Sequence, residues 1–157
     1  MRIFAESEGK PRCNCGVFGI YGHPLAAVQT YYGLHALQHR GQEASGIVSR
    51  EFVSDQKRFR FNLHRAPGLV SEVFRDERLL KDELRGNAAI GHNRYSTTGA
   101  SDNITNIQPF VVNYRQGHLA VAHNGNLTNF RQLRQQLQDR GTIFQSTSDT
   151  EVILHLV

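Results

Sequence analysis

The chain has 157 residues, 39% of them hydrophobic, enough for one domain with a real core, or a piece of one, and too few for two. Its 18 Lys and Arg against 14 Asp and Glu give a formal charge of +4 that is scattered rather than clustered, a weak pull towards anionic partners and no nucleic-acid footprint. No stretch is apolar for long enough to span a membrane, and residues 1–12 lack the apolar core of a secretory signal, so no membrane partner is expected and the expected location is the cytoplasm.

Residues 1–14 are polar and charged and carry Gly9 and Pro11, which suits a leader better than a core element. From Cys15 the pattern changes. The apolar run Gly16–Tyr21, bounded by glycines, predicts a buried strand, and Val28–His39, rich in aromatics and leucine, predicts a helix. Further strands are expected at Gly46–Val53, Ala88–His92, Phe110–Tyr114 and Leu119–His123, with a half-exposed one where Phe59, Phe61 and Leu63 alternate with Arg58, Arg60 and Asn62. Leu127, Phe130, Leu133 and Leu137 form a helical stripe that stops at Gly141. Ser148-Asp149-Thr150-Glu151 has the form of a capping box opening a last helix, which the chain end at Val157 cuts short. Mixed helices and closely spaced strands predict an α/β (α+β) sandwich with antiparallel pairing, expected to be incomplete at its C-terminal end.

The two cysteines, Cys13 and Cys15, are too close in sequence to close a useful disulfide loop. No second Cys pair or regular His pair completes a tetrahedral metal set, so no metal site is expected. Polar residues gather instead at predicted strand ends: Gln38–Glu43, His92–Gly99, His123–Asn126 and Ser148-Asp149. Each has a plain reading as well as a chemical one. Asn124-Gly125 is a common hairpin-turn dipeptide, Ser148 and Asp149 can cap a helix, and Arg40 and Arg94 can serve as ordinary ion-pair or surface arginines. His39, His92 and His123 read best as hydrogen-bonded core or rim residues.

Taken in order, Cys15-Gly16-Val17-Phe18-Gly19, Leu37–Gly46, His92-Asn93-Arg94-Tyr95, His123–Leu127 and Thr147–Glu151 resemble the motifs of the class II, N-terminal-nucleophile glutamine amidotransferases. Within that superfamily Leu-Gln-His-Arg-Gly-Gln-Glu and His-Asn-Gly-Asn-Leu-Thr-Asn resemble the phosphoribosylpyrophosphate amidotransferases that open purine biosynthesis. Glucosamine-6-phosphate synthase relatives prefer Tyr-Arg-Gly-Tyr and His-Asn-Gly-Ile-Ile. The resemblance runs from Cys15 to the chain end. It implies an N-terminal-nucleophile hydrolase fold, a four-layer αββα sandwich of mainly antiparallel sheets, with residues 1–14 as a propeptide and residues 15–157 as the amidotransferase domain.

The resemblance also implies roles. Glutamine's amide is a poor electrophile, and Cys15 supplies a thiolate for a thioester route. Its own α-amine, once freed by removal of the leader, is the base, with a pKa of about 7.7 to 8.0 suited to proton exchange near neutrality. The Asn124 side-chain amide and the Gly125 N–H are the implied oxyanion donors. Arg94 is implied to fork onto the glutamine α-carboxylate, Asp149 to accept from its α-ammonium, Thr97 to add a hydroxyl contact and Arg40 to brace the pocket. The phosphoribosyltransferase half, through which phosphoribosylpyrophosphate would be bound, is absent from these residues. The whole protein is expected to use Mg2+ and to form a homo-oligomer. Some members with propeptides carry a 4Fe-4S cluster, but no ligand set for one lies in these residues. The competing readings are another class II amidotransferase, such as a glucosamine-6-phosphate synthase or an asparagine synthetase, and a non-catalytic glutamine-binding module.

Overall fold

In the computed structural model, which describes residues 15–95 and 104–157, the apolar run after Cys15 forms strand β1 (Gly16–Tyr21). It is followed by helix α1 (Ala26–Ala36), strands β2 (Ala44–Val53) and β3 (Arg58–Pro67), a short helix α2 (Val70–Val73), a π-helical turn at Leu79–Glu83 and strand β4 (Ala88–Arg94). These strands form one antiparallel sheet in the order β1-β4-β2-β3. A second sheet is the hairpin of β5 (Phe110–Tyr114) and β6 (Gly117–Val121), and helices α3 (Phe130–Asp139) and α4 (Thr150–Leu156) complete the described chain.

The register decides which residues face which layer, because side chains opposite one another across a ladder share a face. Phe18 opposes Gly91, Gly91 opposes Ile47 and Ile47 opposes His64. That face meets α1 and carries the main core, with Leu34, Ile47, Val70, Phe74 and Ala89 all buried. Two glycines set how closely α1 approaches: a Cβ on Gly33 would come within 2.4 Å of the Phe18 ring, and one on Gly91 within 2.6 Å of Leu34. The opposite face, carrying Val17, Gly46, Arg65 and His92, meets the hairpin layer. Arg65 donates to the carbonyls of Ile107 and Pro109, and Gly46 leaves room for the Gln108 carbonyl and the Pro109 ring. Helix α4 contacts β6 and α3. The layers therefore run helix, sheet, sheet, helix, the αββα sandwich that the motifs imply.

Local departures from the expected elements have tertiary causes. β1 lies at the sheet edge, and Tyr21 is exposed rather than buried. Tyr21 lines a cavity of about 460 Å³ between the layers, with Val48, Ile90, Phe61 and His118, at the opposite end of β1 from Cys15. Helix α1 stops at Ala36, and Gln38–Arg40 tighten into a 3₁₀ turn. Helix α3 begins only at Phe130, after a turn in which the Phe130 N–H bonds the Leu127 carbonyl; the Leu127 N–H is bonded to Asp149 across the fold. Gly141, at φ +89°, ends that helix as expected. The predicted capping box does not form. Glu151 instead accepts from the N–H groups of Gln145 and Ser146, each at 2.7 Å, and from the Ser146 hydroxyl at 2.6 Å.

Candidate active site

Cys15 sits just before β1, at the end of the sheet where β4 leaves it. Its Sγ donates to the Tyr95 carbonyl at 3.6 Å, and its own carbonyl accepts from Arg40 Nε at 3.1 Å. The 3₁₀ turn that carries Arg40 is held from both sides by Gln38, whose Nε2 donates to the Gly41 carbonyl and whose Oε1 accepts from Val70 N–H at 2.7 Å. Gly41 packs on the end of β4, where a Cβ would come within 2.8 Å of the Asn93 and Arg94 backbone. Asn93, fully buried, donates to the Leu34 carbonyl at 2.7 Å and accepts from Ser45 at 3.1 Å. Within the polar motifs, then, Gln38, Gly41 and Asn93 serve the scaffold that brings Arg40, Arg94 and Cys15 to one sheet end.

The second group belongs to the hairpin layer. Asn124 and Gly125 are exposed and follow β6 rather than joining two paired strands, since the β5–β6 turn lies at Tyr114–Gly117; the hairpin reading of this dipeptide is overturned. The His123 ring packs beneath the turn, where a Cβ on Gly125 would come within 2.6 Å of Nε2, and its Nδ1 lies 3.4 Å from the Thr150 hydroxyl. Asp149 does not cap α4 with its side chain: Oδ2 accepts from Leu127 N–H at 2.7 Å, tying the start of α4 to the segment after Asn124-Gly125.

His92 stands where the two groups meet. It is buried on the inter-sheet face, and neither ring nitrogen makes a hydrogen bond of good geometry among the described residues, the backbone of His123 being the polar group closest to serving it. Burial lowers its pKa to about 4, the nearby Arg94 charge and, more weakly, the His123 charge acting in the same direction and the His123 backbone opposing them. A neutral ring is thus kept between the two halves. His39 is the exposed rim histidine expected, its Nδ1 lying 3.2 Å from the Ala36 carbonyl.

The structure thus places Cys15, Arg40 and Arg94 together on one sheet end, and Asn124, Gly125 and Asp149 together on the other layer. Thr97, the leader and Cys13 lie outside the described residues. Two buried carboxamides that the motifs did not single out, Asn106 and Gln108, bond directly to Thr147 and His123 in the second group. Among the described residues no three His, Cys, Asp or Glu side chains converge, and Cys15 is the described cysteine. One described cysteine does not supply the thiolate set of an iron–sulfur cluster. No helix among the described residues is long and apolar enough to cross a membrane.

The model of the glutamine amidotransferase domain family matches residues 76–157, more than half of the chain. An amidophosphoribosyltransferase of Lacticaseibacillus casei is 52% identical, with 91% of this chain and 70% of that one covered. Chloroplastic amidophosphoribosyltransferase 1 of Arabidopsis thaliana is 54% identical over 97% of this chain, which spans only 25% of its length. The solved structure of glutamine phosphoribosylpyrophosphate amidotransferase from B. subtilis, complexed with ADP and GMP, superposes with a TM-score of 0.76 at 48% identity, over 89% of this chain and 28% of that one. With two motif-bearing groups on an αββα sandwich and likeness at this level, the chain belongs to the glutamine amidotransferase domain family and, within it, to the amidophosphoribosyltransferases.

Proposed function

We propose that this chain hydrolyses glutamine to glutamate and ammonia through a thioester on Cys15, and that its parent protein passes the ammonia to phosphoribosylpyrophosphate. The observation that carries the reading is the seating of Cys15. Its carbonyl is held by Arg40, its thiol faces the Tyr95 carbonyl, and Arg94 ends the neighbouring strand. Cleavage of the Asn14–Cys15 bond frees the α-amine. That amine takes the thiol proton as sulfur attacks the glutamine δ-carbon, and the developing oxyanion is met by the Asn124 amide and the Gly125 N–H. Collapse expels ammonia, protonated by the same amine. Water then attacks the thioester, releasing glutamate and restoring the thiol.

Arg94, with its planar fork, would hold the α-carboxylate, Asp149 the α-ammonium, and Thr97 a further polar contact. In the whole protein, ammonia would displace diphosphate from phosphoribosylpyrophosphate on a second domain to give 5-phosphoribosylamine, the first committed step of purine biosynthesis. We assign that protein to the cytoplasm, as a homo-oligomer using Mg2+ at the second domain. The motif differences noted above favour this acceptor over that of a glucosamine-6-phosphate synthase.

Ammonia release from glutamine by the full-length protein tests the reading. The wild type releases ammonia and Cys15→Ala does not; equal release by both, or none by a wild type that begins at Cys15, overturns it.

A further inference from the structure

From the last residue of the 3₁₀ turn at Ile104–Asn106 to the start of β5 runs a buried segment with two carboxamides, Asn106 at 9% and Gln108 at 7% exposure. Each uses both ends of its amide on a single residue. Asn106 Nδ2 donates to the Thr147 hydroxyl at 2.8 Å while its Oδ1 accepts from Thr147 N–H at 2.9 Å. Gln108 Oε1 accepts from His123 N–H at 2.7 Å while its Nε2 donates to the His123 carbonyl at 3.4 Å. Carboxamides carry a donor and an acceptor side by side, so they can grip one residue in this way.

The gripped residues are telling. His123 immediately precedes Asn124-Gly125, and Thr147 lies two residues before Asp149. The gripping segment is itself seated, by Arg65 on the Ile107 and Pro109 carbonyls and by the close pass over Gly46. The bond from Leu127 N–H to Asp149 joins the two loops a second time.

We propose that Asn106 and Gln108 are positioning residues for glutamine hydrolysis: Gln108 sets the Asn124-Gly125 turn for turnover, and Asn106 sets the Asp149 loop for glutamine binding. The inference rests on the glutaminase reading above. Neither side chain touches the substrate; each acts through the backbone it holds. A purely structural role would lower stability and the fraction of active sites, which lowers apparent kcat without moving KM, so kcat is counted per site titrated by covalent labelling of Cys15; positioning then shows as a loss per active site in one loop and a KM change in the other, because the two loops serve different parts of glutamine.

The test is steady-state glutamine hydrolysis by the full-length protein processed at Cys15, with Gln108→Met and Asn106→Leu, which keep similar volume and lose the amide. Gln108→Met lowers kcat by about 10- to 100-fold and leaves KM for glutamine within about threefold. Asn106→Leu raises KM by about tenfold and leaves kcat within about threefold. If a variant does not fold, Gln108→Glu and Asn106→Asp, which keep the shape and exchange the donor NH2 for a carboxylate oxygen, are read for the same split. Wild-type constants in both variants, or a joint change of both constants in each, overturn the proposal. A processed wild type that releases no ammonia fails the glutaminase reading instead.

Discussion

Arg40 donates through Nε to the main-chain carbonyl of Cys15 at 3.1 Å, so a guanidinium from the turn after α1 fixes the residue that opens β1. The bond reaches the backbone and not the sulfur. Arg40 therefore orients the nucleophile and its α-amine together, and it does so with a group that no lysine reproduces at the same angle.

Arg40→Lys is accordingly expected to lower kcat for glutamine hydrolysis by about 10- to 100-fold, the worth of a charge-assisted hydrogen bond of about 1.5–3 kcal/mol. KM should change little, since Arg40 does not hold the substrate in this account. Steady-state assays of the processed full-length protein check this, and a variant with wild-type kcat contradicts it.

Asp149 accepts from Leu127 N–H through Oδ2 at 2.7 Å and, at a longer 3.4 Å, from the Thr150 hydroxyl through Oδ1. Asp149→Asn can keep the acceptor for Leu127 N–H while exchanging the weaker acceptor facing Thr150 for an NH2, so the loop should hold while the attraction for the α-ammonium disappears. KM for glutamine is expected to rise by about 10- to 100-fold. An unchanged KM with an unchanged melting temperature would remove Asp149 from the binding role.

His92 is buried neutral, with a pKa of about 4 in the fold against 6.5 ordinarily, through burial first and then the Arg94 charge, which together outweigh the His123 backbone contact that favours the protonated ring. Because the unfolded chain takes up the proton first, the stability this residue contributes is full above pH 6.5 and is lost as pH falls from 6.5 towards 4. A difference of that size is worth about 3 kcal/mol. Urea unfolding followed between about pH 7 and pH 4 should show a shallower loss of stability in His92→Gln than in the wild type. Parallel profiles would mean that His92 does not carry the acid sensitivity.

Much of this architecture is legible in the residues themselves, where local pattern and tertiary demand agree. Gly16–Tyr21 and Phe110–Tyr114 are strands with the limits their apolar runs predict, and Gly141 ends α3 with the positive φ that a C′ glycine provides. Where a long-range bond replaces a local one, the pattern misleads. Leu127 reads as part of the helix because its apolar side chain keeps the stripe's spacing, while its backbone lies in the turn before α3 with its N–H on Asp149. Glu151 reads as a capping-box acceptor because its reach to Gln145 and Ser146 depends on how that loop folds back. Asn106 and Gln108 lie in a run of polar residues that resembles a solvated loop; only the structure buries them against Thr147 and His123. The grouping of Cys15 with Arg40 was visible only through the motif resemblance, since 25 residues separate them.

The most direct test of the central claim is the intact mass of the full-length protein before and after incubation with a diazo-ketone analogue of glutamine, with any adduct mapped to its residue. The account predicts a chain beginning at Cys15 that gains one adduct, on Cys15. A chain that begins at Cys15 and stays unlabelled, or one labelled elsewhere, would contradict it.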